Sequence, residues 1–284
     1  MSFGTRLENH SQGSFALLSF LKDPRLARVV IVTDQPDFYR VFGDRVECIT
    51  VDERILDEWH GPHRFFWRIK IKAIEAAVAR DPAASWLYVD SDTFLATDLG
   101  ELDAALQQGT PFMHCPEDRL ADATNSTLKQ MHRSLSGKTV AGIAINDDSL
   151  MWNAGVIALP AGKAPMLVEQ TLTLCDALCA TDCRRKLIEQ FSFSLALAHG
   201  GPLQGCYDTI GHYWGNKPEW NAFIARFWSE AKLRDDDLAA CVEKARHTDW
   251  KAMPLEKRRS SAAERVKVFV DRLFPSRAPR HFGG

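Results

Sequence analysis

The chain has 284 residues, of which 45% are hydrophobic and 25% charged, and its formal net charge is −2 at pH 7. This composition is that of a globular protein and excludes a disordered chain, and the near-neutral charge gives no reason to expect a nucleic-acid partner. No apolar run approaches the roughly 20 residues that a membrane-spanning helix needs. Seven cysteines, an odd number, and the charged N-terminal residues Arg6 and Glu8 favour a cytoplasmic protein.

Apolar runs alternate with helical patterns along the chain. The predicted strands cover residues 28–34, 46–51, 85–90, 111–115 and 152–159. Helical spacing of Phe66, Ile69, Ala73 and Ala77 predicts a helix over residues 64–80, and the segment from 161 to about 199 and most of the chain after Lys217 also have helical patterns. Strands separated by helices indicate an α/β fold with a mostly parallel sheet flanked by helices.

Two aspartates, Asp90 and Asp92, follow the third predicted strand in the stretch VDSD. Ligands of a parallel sheet bind beyond the carboxyl ends of its strands, which is where these side chains are expected. Two carboxylates this close repel each other unless a cation lies between them, and a hard divalent ion commonly keeps substrate phosphates among its ligands. The pair therefore indicates a metal-bound, phosphate-containing substrate. The alternative is a turn in which the aspartates cap the next element.

Three later stretches place polar or small residues in apolar surroundings. LMWNAGVIALP contains Asn153, Ala154 and Gly155, LIEQFSFSLAL contains Glu189 and Gln190, and GHYWGNKPEW contains His212, Gly215 and Lys217. A small residue such as Gly155 allows a ligand to approach the backbone closely. With the two aspartates first, the motifs resemble, in kind and order, those of the retaining glycosyltransferases of family 8, the group of glycogenin and the bacterial lipopolysaccharide galactosyltransferases. The resemblance covers roughly residues 1–220.

The resemblance implies a GT-A fold, with a nucleotide-sugar-binding catalytic domain over residues 1–220. The helical pattern and charge of the remaining chain predict a helical, basic extension over 221–284 packed on that domain. It implies that Asp90, Asp92 and His212 hold Mn²⁺ or Mg²⁺, which would bind the diphosphate of a nucleotide sugar, expected to be a UDP-sugar, and stabilise the leaving group. The implied donor-binding residues are Gly4, Thr5, Arg68, Asp90, Ser91, Asp92, Asn153, Ala154, Gly155, Gly215 and Lys217.

The implied donor contacts of Lys217 and of the N-terminal residues depart from the family pattern, and Arg68 has an alternative role. One residue separates Gly215 from Lys217 where the family has two, which leaves the phosphate contact of Lys217 open. The N-terminal stretch carries no tyrosine to stack on the base, so either the first strand is truncated or the base is recognised differently. Arg68 matches an arginine that contacts the donor in bacterial members. Because Arg68 and Lys72 lie four apart on one helix face, solvation of both is the alternative.

The charge changes of the reaction favour one route for sugar transfer. Cleavage of the anomeric bond leaves cationic character on the sugar and an anionic diphosphate, so the protein has to position the reactants and stabilise the departing phosphate. A double displacement needs a carboxylate beneath the sugar, and Gln190, which resembles the family residue at that face, is a poor nucleophile. We therefore expect attack by the acceptor on the face of departure. Glu189 is either the alternative nucleophile or a carboxylate that favours the start of a helix.

The C-terminal segment 254–284 has a net charge of +5, against −7 for the rest of the chain. Val266, Phe269, Val270 and Leu273 lie at helical spacing within it, which suits either docking on the catalytic domain or contact with an anionic membrane. We expect docking, with at most weak, salt-sensitive membrane contact. The acceptor, whether glycan, lipid or protein, and the oligomeric state are not indicated by the sequence.

Two functions of other classes compete with glycosyl transfer. A phosphatase of the haloacid dehalogenase type also carries two aspartates after a strand, but its threonine falls two residues beyond the second aspartate, where this chain has Phe94. The other alternative is a non-catalytic relative that binds a nucleotide sugar or a glycan. Retention of all three implied metal ligands argues against it, and Mn²⁺-dependent hydrolysis of the donor would separate the two.

Overall fold

The computed structural model describes residues 1–256 and the two positions 266 and 269, and the chain forms an α/β fold. Its α-helices are α1 (Leu7–Phe20), α2 (Glu53–Trp59), α3 (Arg68–Val78), α4 (Gly100–Gln107), α5 (Ser126–Leu135), α6 (Ala164–Cys179), α7 (Ile188–His199), α8 (Lys217–Arg234) and α9 (Leu238–Arg246). Its strands are β1 (Val30–Thr33), β2 (Glu47–Thr50), β3 (Trp86–Val89), β4 (Thr93–Leu95), β5 (Phe112–Met113), β6 (Pro116–Arg119), β7 (Thr139–Val140), β8 (Ile143–Ala144), β9 (Leu150–Trp152), β10 (Val156–Leu159), β11 (Gln204–Gly205) and β12 (Ile210–His212). Short 3₁₀ helices cover Pro36–Arg45, which is interrupted by a kink at Gly43, and also Arg185–Leu187 and Trp250–Ala252.

The elements predicted from apolar runs and periodicity are confirmed. Each predicted strand contains an observed one, and these are β1, β2, β3, β5 and β10 in chain order. The helix predicted over 64–80 is α3, which buries Ile69 and Ala73 but begins only at Arg68. Phe66 therefore lies in the preceding turn, where its side chain is exposed. The later helical patterns correspond to α6 and α7, then to α8 and α9.

The prediction of a mostly parallel sheet is wrong, because the strands pair in small, mixed sheets. β1 and β2 pair in parallel. The four-stranded sheet has the order β11-β5-β10-β3, in which β11 is parallel to β5 and β10 is antiparallel to both of its neighbours. β1 and β3 do not pair with each other, and residues of both strands line a cavity of about 560 Å³.

The antiparallel pairing of β10 belongs to a bent pair of chain segments, 112–119 and 150–159. β5 pairs with β10 and β6 pairs with β9. Two backbone hydrogen bonds continue the ladder across the bend, from the Asn153 N–H to the Cys115 carbonyl (2.8 Å) and from the His114 N–H to the Asn153 carbonyl (3.1 Å). Antiparallel strands need no helical crossover between them, so the apolar runs alone did not indicate that these two segments pair. The bend places Asn153 opposite the segment that contains Glu117.

Helices α8 and α9 share one buried hydrophobic cluster with α1. Trp220 of α8 stacks on Tyr213 with ring centroids 4.3 Å apart, and Phe94 of β4 stacks on Trp250 at 4.4 Å. Phe94 and Trp220 also stack on each other at 4.9 Å, which joins the two pairs. This stack of aromatic rings fastens α8 to the β4–β12 pair. α8 runs through residue 220, where the sequence analysis placed the end of the catalytic domain.

The C-terminal positions that the structure describes are Val266 and Phe269. Both are helical, and their side chains are 61% and 62% exposed. Docking of this face on the domain is therefore not observed at these two positions, and Val270 and Leu273 lie outside the described residues. Within the described part of the chain, none of the helices combines the length and the apolarity that crossing a bilayer requires.

Candidate metal centre

The turn after β3 carries Asp90, Ser91 and Asp92, and neighbouring strands hold it in place. The Asp90 N–H donates to the Gly155 carbonyl (2.8 Å), and the Thr93 hydroxyl donates to the Asp90 carbonyl (2.7 Å). β4 begins at Thr93 and pairs antiparallel with β12, with Thr93 opposite His212. This pairing brings a histidine from far along the chain to the side of Asp92.

Asp90, Asp92 and His212 form a cluster whose ligand atoms all lie within 4.8 Å of one another. Asp92 and His212 are only 4% and 7% exposed, and Asp90 is partly exposed. His212 Nδ1 lies 3.1 Å from Asn153 Oδ1. His212 Nε2 lies 3.4 Å from Asp92 Oδ1, yet it makes no hydrogen bond with any described group. A buried imidazole nitrogen without a partner beside two carboxylates is a donor set that fits a divalent ion.

Lys70 of α3 is buried at the back of the cluster, between two carboxylates. Its Nζ lies 3.3 Å from Asp90 Oδ1 and 3.2 Å from Glu189 Oε1, and it donates to the Ala154 carbonyl at 3.2 Å. The Tyr88 hydroxyl donates to the same Asp90 oxygen at 2.5 Å. Burial would lower the pKa of Lys70, but Asp90 and Glu189 raise it above its usual value. Lys70 therefore stays charged and balances the two acidic side chains.

Lys217, at the start of α8, neutralises the other aspartate. Its Nζ lies 2.8 Å from Asp92 Oδ2, so the shortened spacing after Gly215 does not keep it from the cluster. Burial would raise the pKa of Asp92, but the adjacent side chains of His212 and Lys217 hold that pKa well below its usual range. The Asp92 carboxylate is therefore ionised and available as a metal ligand at neutral pH.

Two carboxamides lie next to the cluster, and both donate to Glu117 of β6. Asn153 Nδ2 donates to Glu117 Oε1 and Gln190 Nε2 donates to Glu117 Oε2, each at 2.9 Å. Asn153 Oδ1 accepts from the Gly155 N–H at 3.0 Å. Gln190 and Glu189 lie in the first turn of α7, with Glu189 buried and Gln190 partly exposed. Asn153 thus contacts His212 directly, Gln190 is linked to Asn153 through Glu117, and Glu189 is linked to Asp90 through Lys70.

The His212 side chain of the cluster packs closely against the backbone at Gly155. A Cβ at this position would lie 2.2 Å from Cε1 and 2.4 Å from Nδ1 of His212. From the sequence, a small residue here was predicted to let a ligand approach the backbone. In the structure, the absence of a side chain at Gly155 makes room for the imidazole that faces Asp92.

Replacing Gly155 with Ala is expected to displace the His212 ring and weaken Mn²⁺ binding by about tenfold or more. Overpacking should also lower the free energy of unfolding by about 1–3 kcal/mol. Calorimetric titration with Mn²⁺ and denaturant unfolding measure the two effects. Gly205→Ala is the matched control, because a Cβ there meets nothing closer than 3.5 Å. An unchanged Mn²⁺ affinity in Gly155→Ala would show that His212 is not a ligand.

Arg68 contacts another helix rather than the carboxylate cluster. Its Nε and Nη2 donate to the two carboxylate oxygens of Asp176 in α6, at 2.8 and 3.0 Å, and its Nη1 donates to the Trp59 carbonyl at 3.0 Å. Its neighbour Lys72 pairs with Glu75. The Arg68 side chain is therefore held in an ion pair between helices, and it neither faces the carboxylate cluster nor lies free in solvent. The bidentate ion pair joins α3 to α6.

The N-terminal residues Gly4 and Thr5 lie at the carboxyl end of β1. The Gly4 N–H donates to the Asp34 carboxylate at 3.0 Å, and His10 Nε2 donates to the Gly4 carbonyl at 2.7 Å. His10 Nδ1 in turn accepts from the Tyr39 hydroxyl at 3.0 Å. Thr5 is exposed. These contacts tie Gly4 to the end of β1 rather than to the metal ligands.

Gly215 lies in the loop between β12 and α8, two residues before Lys217. It forms an isolated parallel bridge with Glu256. A Cβ at Gly215 would lie 2.6 Å from the Glu256 side chain. The segment at Glu256 therefore leaves no room for a side chain at position 215, which explains the glycine there without invoking a bound ligand.

Three residues that the motifs did not indicate contact the predicted ones: Lys70, Tyr88 and Glu117. Lys70 had a signal in the sequence, because Ala73 and Ile74, its neighbours on the helix surface, are both apolar. Tyr88 lies two residues before Asp90, so an extended strand puts both side chains on one face. Glu117 comes two residues after a predicted strand, as Asp92 does, and could have been found by the same argument.

His114 lies beside the cluster and is buried in its neutral form. Its ring contacts that of His212 edge-on, with centroids 5.3 Å apart, and its Nε2 donates to the Ile210 carbonyl at 3.1 Å. Burial, and then the charge of His212, lowers the pKa of His114 to about 4. The folded protein therefore keeps His114 neutral at pH values at which a free histidine would be protonated.

The metal-free protein is expected to lose stability on acidification because of His114. Between its unfolded pKa of about 6.5 and its folded value of about 4, only the unfolded chain binds the proton, so stability falls as pH falls through this window. The contribution lost at pH 5 is about 2 kcal/mol. Denaturant unfolding at pH 7 and pH 5 should therefore show a smaller loss for His114→Asn than for wild type. The exposed His199, replaced by Asn, is the control, and equal losses in all three proteins would contradict the assignment.

The fold and the cluster together define an α/β protein with a buried carboxylate–imidazole site suited to a divalent ion. No model of a known protein family matches the sequence, and the search of curated proteins found no significant match. The interpretation of this site therefore depends on the residues themselves.

Proposed function

We propose that this protein is a metal-dependent retaining glycosyltransferase of the GT-A type, similar to family 8, with a nucleotide sugar as its donor. The observation that carries the proposal is the convergence of Asp90 and Asp92, from the turn after β3, with His212 of β12, with the ligand atoms within 4.8 Å. Asn153 and Gln190 adjoin them through Glu117. An ion site beside two carboxamides suits a substrate with a diphosphate at one end and a sugar at the other.

The three cluster residues would hold Mn²⁺ or Mg²⁺. When bound, such an ion supplies positive charge to the donor diphosphate as it leaves the sugar. Lys217 adds a second positive charge, because its side chain is 48% exposed and can turn from Asp92 to a phosphate oxygen. Lys70 is buried behind Asp90 and keeps the charge of the inner carboxylates balanced.

Asn153 and Gln190 would position the sugar, with Gln190 below the anomeric carbon. Glu189, the alternative nucleophile, is buried and paired with Lys70 at 3.2 Å. Attack by its carboxylate would require that ion pair to break inside the protein, where an uncompensated lysine is costly. The ion pair supports attack by the acceptor on the face from which the diphosphate departs. The acceptor is proposed to be a glycan, a lipid or a protein.

A screen of nucleotide sugars by thermal unfolding tests the donor class. A donor present at a hundredfold excess over its Kd adds roughly 3 kcal/mol of stability, which raises the Tm measurably. We expect a UDP-sugar to raise the Tm with Mn²⁺ and to lose most of that effect in a chelator. If no nucleotide sugar changes the Tm in the presence of Mn²⁺, the proposed donor class is wrong.

A further inference from the structure

Glu117 lies between the two carboxamides that the proposed function assigns to the sugar. It belongs to the irregular stretch of β6 between the paired positions Pro116 and Arg119. Although Glu117 is exposed to solvent, its two oxygens accept from Asn153 Nδ2 and Gln190 Nε2, each at 2.9 Å. Both oxygens of an exposed carboxylate are thus used to hold side chains of the candidate site.

A carboxylate only accepts hydrogen bonds, so each carboxamide has to present its NH₂ group to Glu117. For Asn153 a second contact enforces the same orientation, because its Oδ1 accepts from the Gly155 N–H at 3.0 Å. For Gln190, Glu117 is the only hydrogen-bond partner of the carboxamide within the described residues. The orientation of the Gln190 carboxamide therefore depends on Glu117.

This orientation has a chemical consequence at the sugar. With its NH₂ group held by Glu117, Gln190 keeps its carbonyl oxygen for the substrate. That oxygen is the negative end of the amide dipole, and it stabilises positive charge that develops at an anomeric carbon. The reversed carboxamide would present its NH₂ group there and oppose the same charge.

We propose that Glu117 is a positioning residue that fixes the polarity of the Gln190 carboxamide, so that its oxygen faces the developing cation. The role at the sugar rests on the proposed function, whereas the orientation itself is a property of the metal-free protein. Glu117→Gln tests it because the new side chain has one acceptor and one donor. Asn153 is fixed by Gly155 and takes the acceptor, which leaves the new NH₂ group opposite Gln190 and requires Gln190 to turn over.

The orientation is measured in the metal-free protein from the side-chain amide signals of Gln190 in ¹⁵N-labelled samples. In wild type, one amide proton is held by a carboxylate. We expect its signal to move in Glu117→Gln and to stay in place in Asp148→Asn, which removes the same charge from an exposed position of the loop before β9. Gln190 signals that are the same in wild type and Glu117→Gln would overturn the proposal.

The effect on chemistry is measured as separate values of kcat and KM with the donor found in the screen. We expect Glu117→Gln to lower kcat about a hundredfold with little change in donor KM or Mn²⁺ affinity. Glu117→Asp keeps two acceptor oxygens and the charge, so its kcat should exceed that of Glu117→Gln by about tenfold. Equal losses in both variants, or a loss confined to KM, would overturn the role at the sugar. If wild type turns over no donor, the proposed function fails while the amide signals still decide the orientation.

Discussion

Replacing Asp92 with Asn is expected to lower Mn²⁺ affinity at least about a hundredfold and to abolish Mn²⁺-dependent donor binding. The substitution keeps the shape of the side chain and removes the charge of a ligand that is 4% exposed. Lys217 loses its partner, but its side chain is half exposed and can return to water. We therefore expect the free energy of unfolding to fall by only about 1–3 kcal/mol.

Calorimetric titration with Mn²⁺, and then with nucleotide sugar, measures this loss, and denaturant unfolding shows that the variant is folded. Asp98→Asn is the matched control, because Asp98 is an exposed aspartate paired with Arg25, away from the cluster. Asp98→Asn should bind Mn²⁺ like wild type. A folded Asp92→Asn protein with wild-type affinity would place the ion elsewhere.

Replacing Lys70 with Met is expected to have the largest effect on stability. The change leaves the buried Glu189 and the partly exposed Asp90 without the cation that they share, which costs about 3–5 kcal/mol in the metal-free protein. The double variant Lys70→Met/Glu189→Gln removes one of the two acids as well and should recover a large part of the loss, because replacing both members of a buried pair is far less costly than removing one.

Denaturant unfolding in a chelator at neutral pH measures the free energies of these proteins. Lys72→Met is the matched control on the same helix, because Lys72 pairs with a more exposed acid, Glu75, and its loss should cost less than about 1 kcal/mol. A similar cost for Lys70→Met and Lys72→Met would show that Lys70 does not balance the charges of the cluster.

The strands that could be predicted from the sequence are those with a local signal. β1, β2, β3, β5 and β10 lie in apolar runs, and the helices from α6 to α9 have helical spacing, because burial of a face imposes a pattern on neighbouring residues. The pairing could not be predicted in the same way. β4 and β12, which bring His212 to Asp92, are three residues each, and their partnership is set by contacts between distant parts of the chain.

The same distinction applies to the side chains of the candidate site. Motif order indicated Asp90, Asp92 and His212, and the structure brings their ligand atoms together. Arg68 was assigned to the donor because it matches an arginine of the resembled family, and its partner Asp176, far away in sequence, leaves no trace in the pattern around the arginine. Lys70 was missed although its apolar helix neighbours mark it as buried. A charged residue on an apolar helix face indicates a partner without saying which one.

The most direct test of glycosyl transfer is the release of nucleoside diphosphate from the donor that the thermal screen identifies. Wild type with Mn²⁺ should release the diphosphate, and the released or transferred sugar should keep its anomeric configuration when NMR follows the reaction from its start. Asp92→Asn, and wild type in a chelator, should release none above the uncatalysed rate. Tight Mn²⁺-dependent donor binding without any release would contradict the account and show a protein that binds a nucleotide sugar without transferring it.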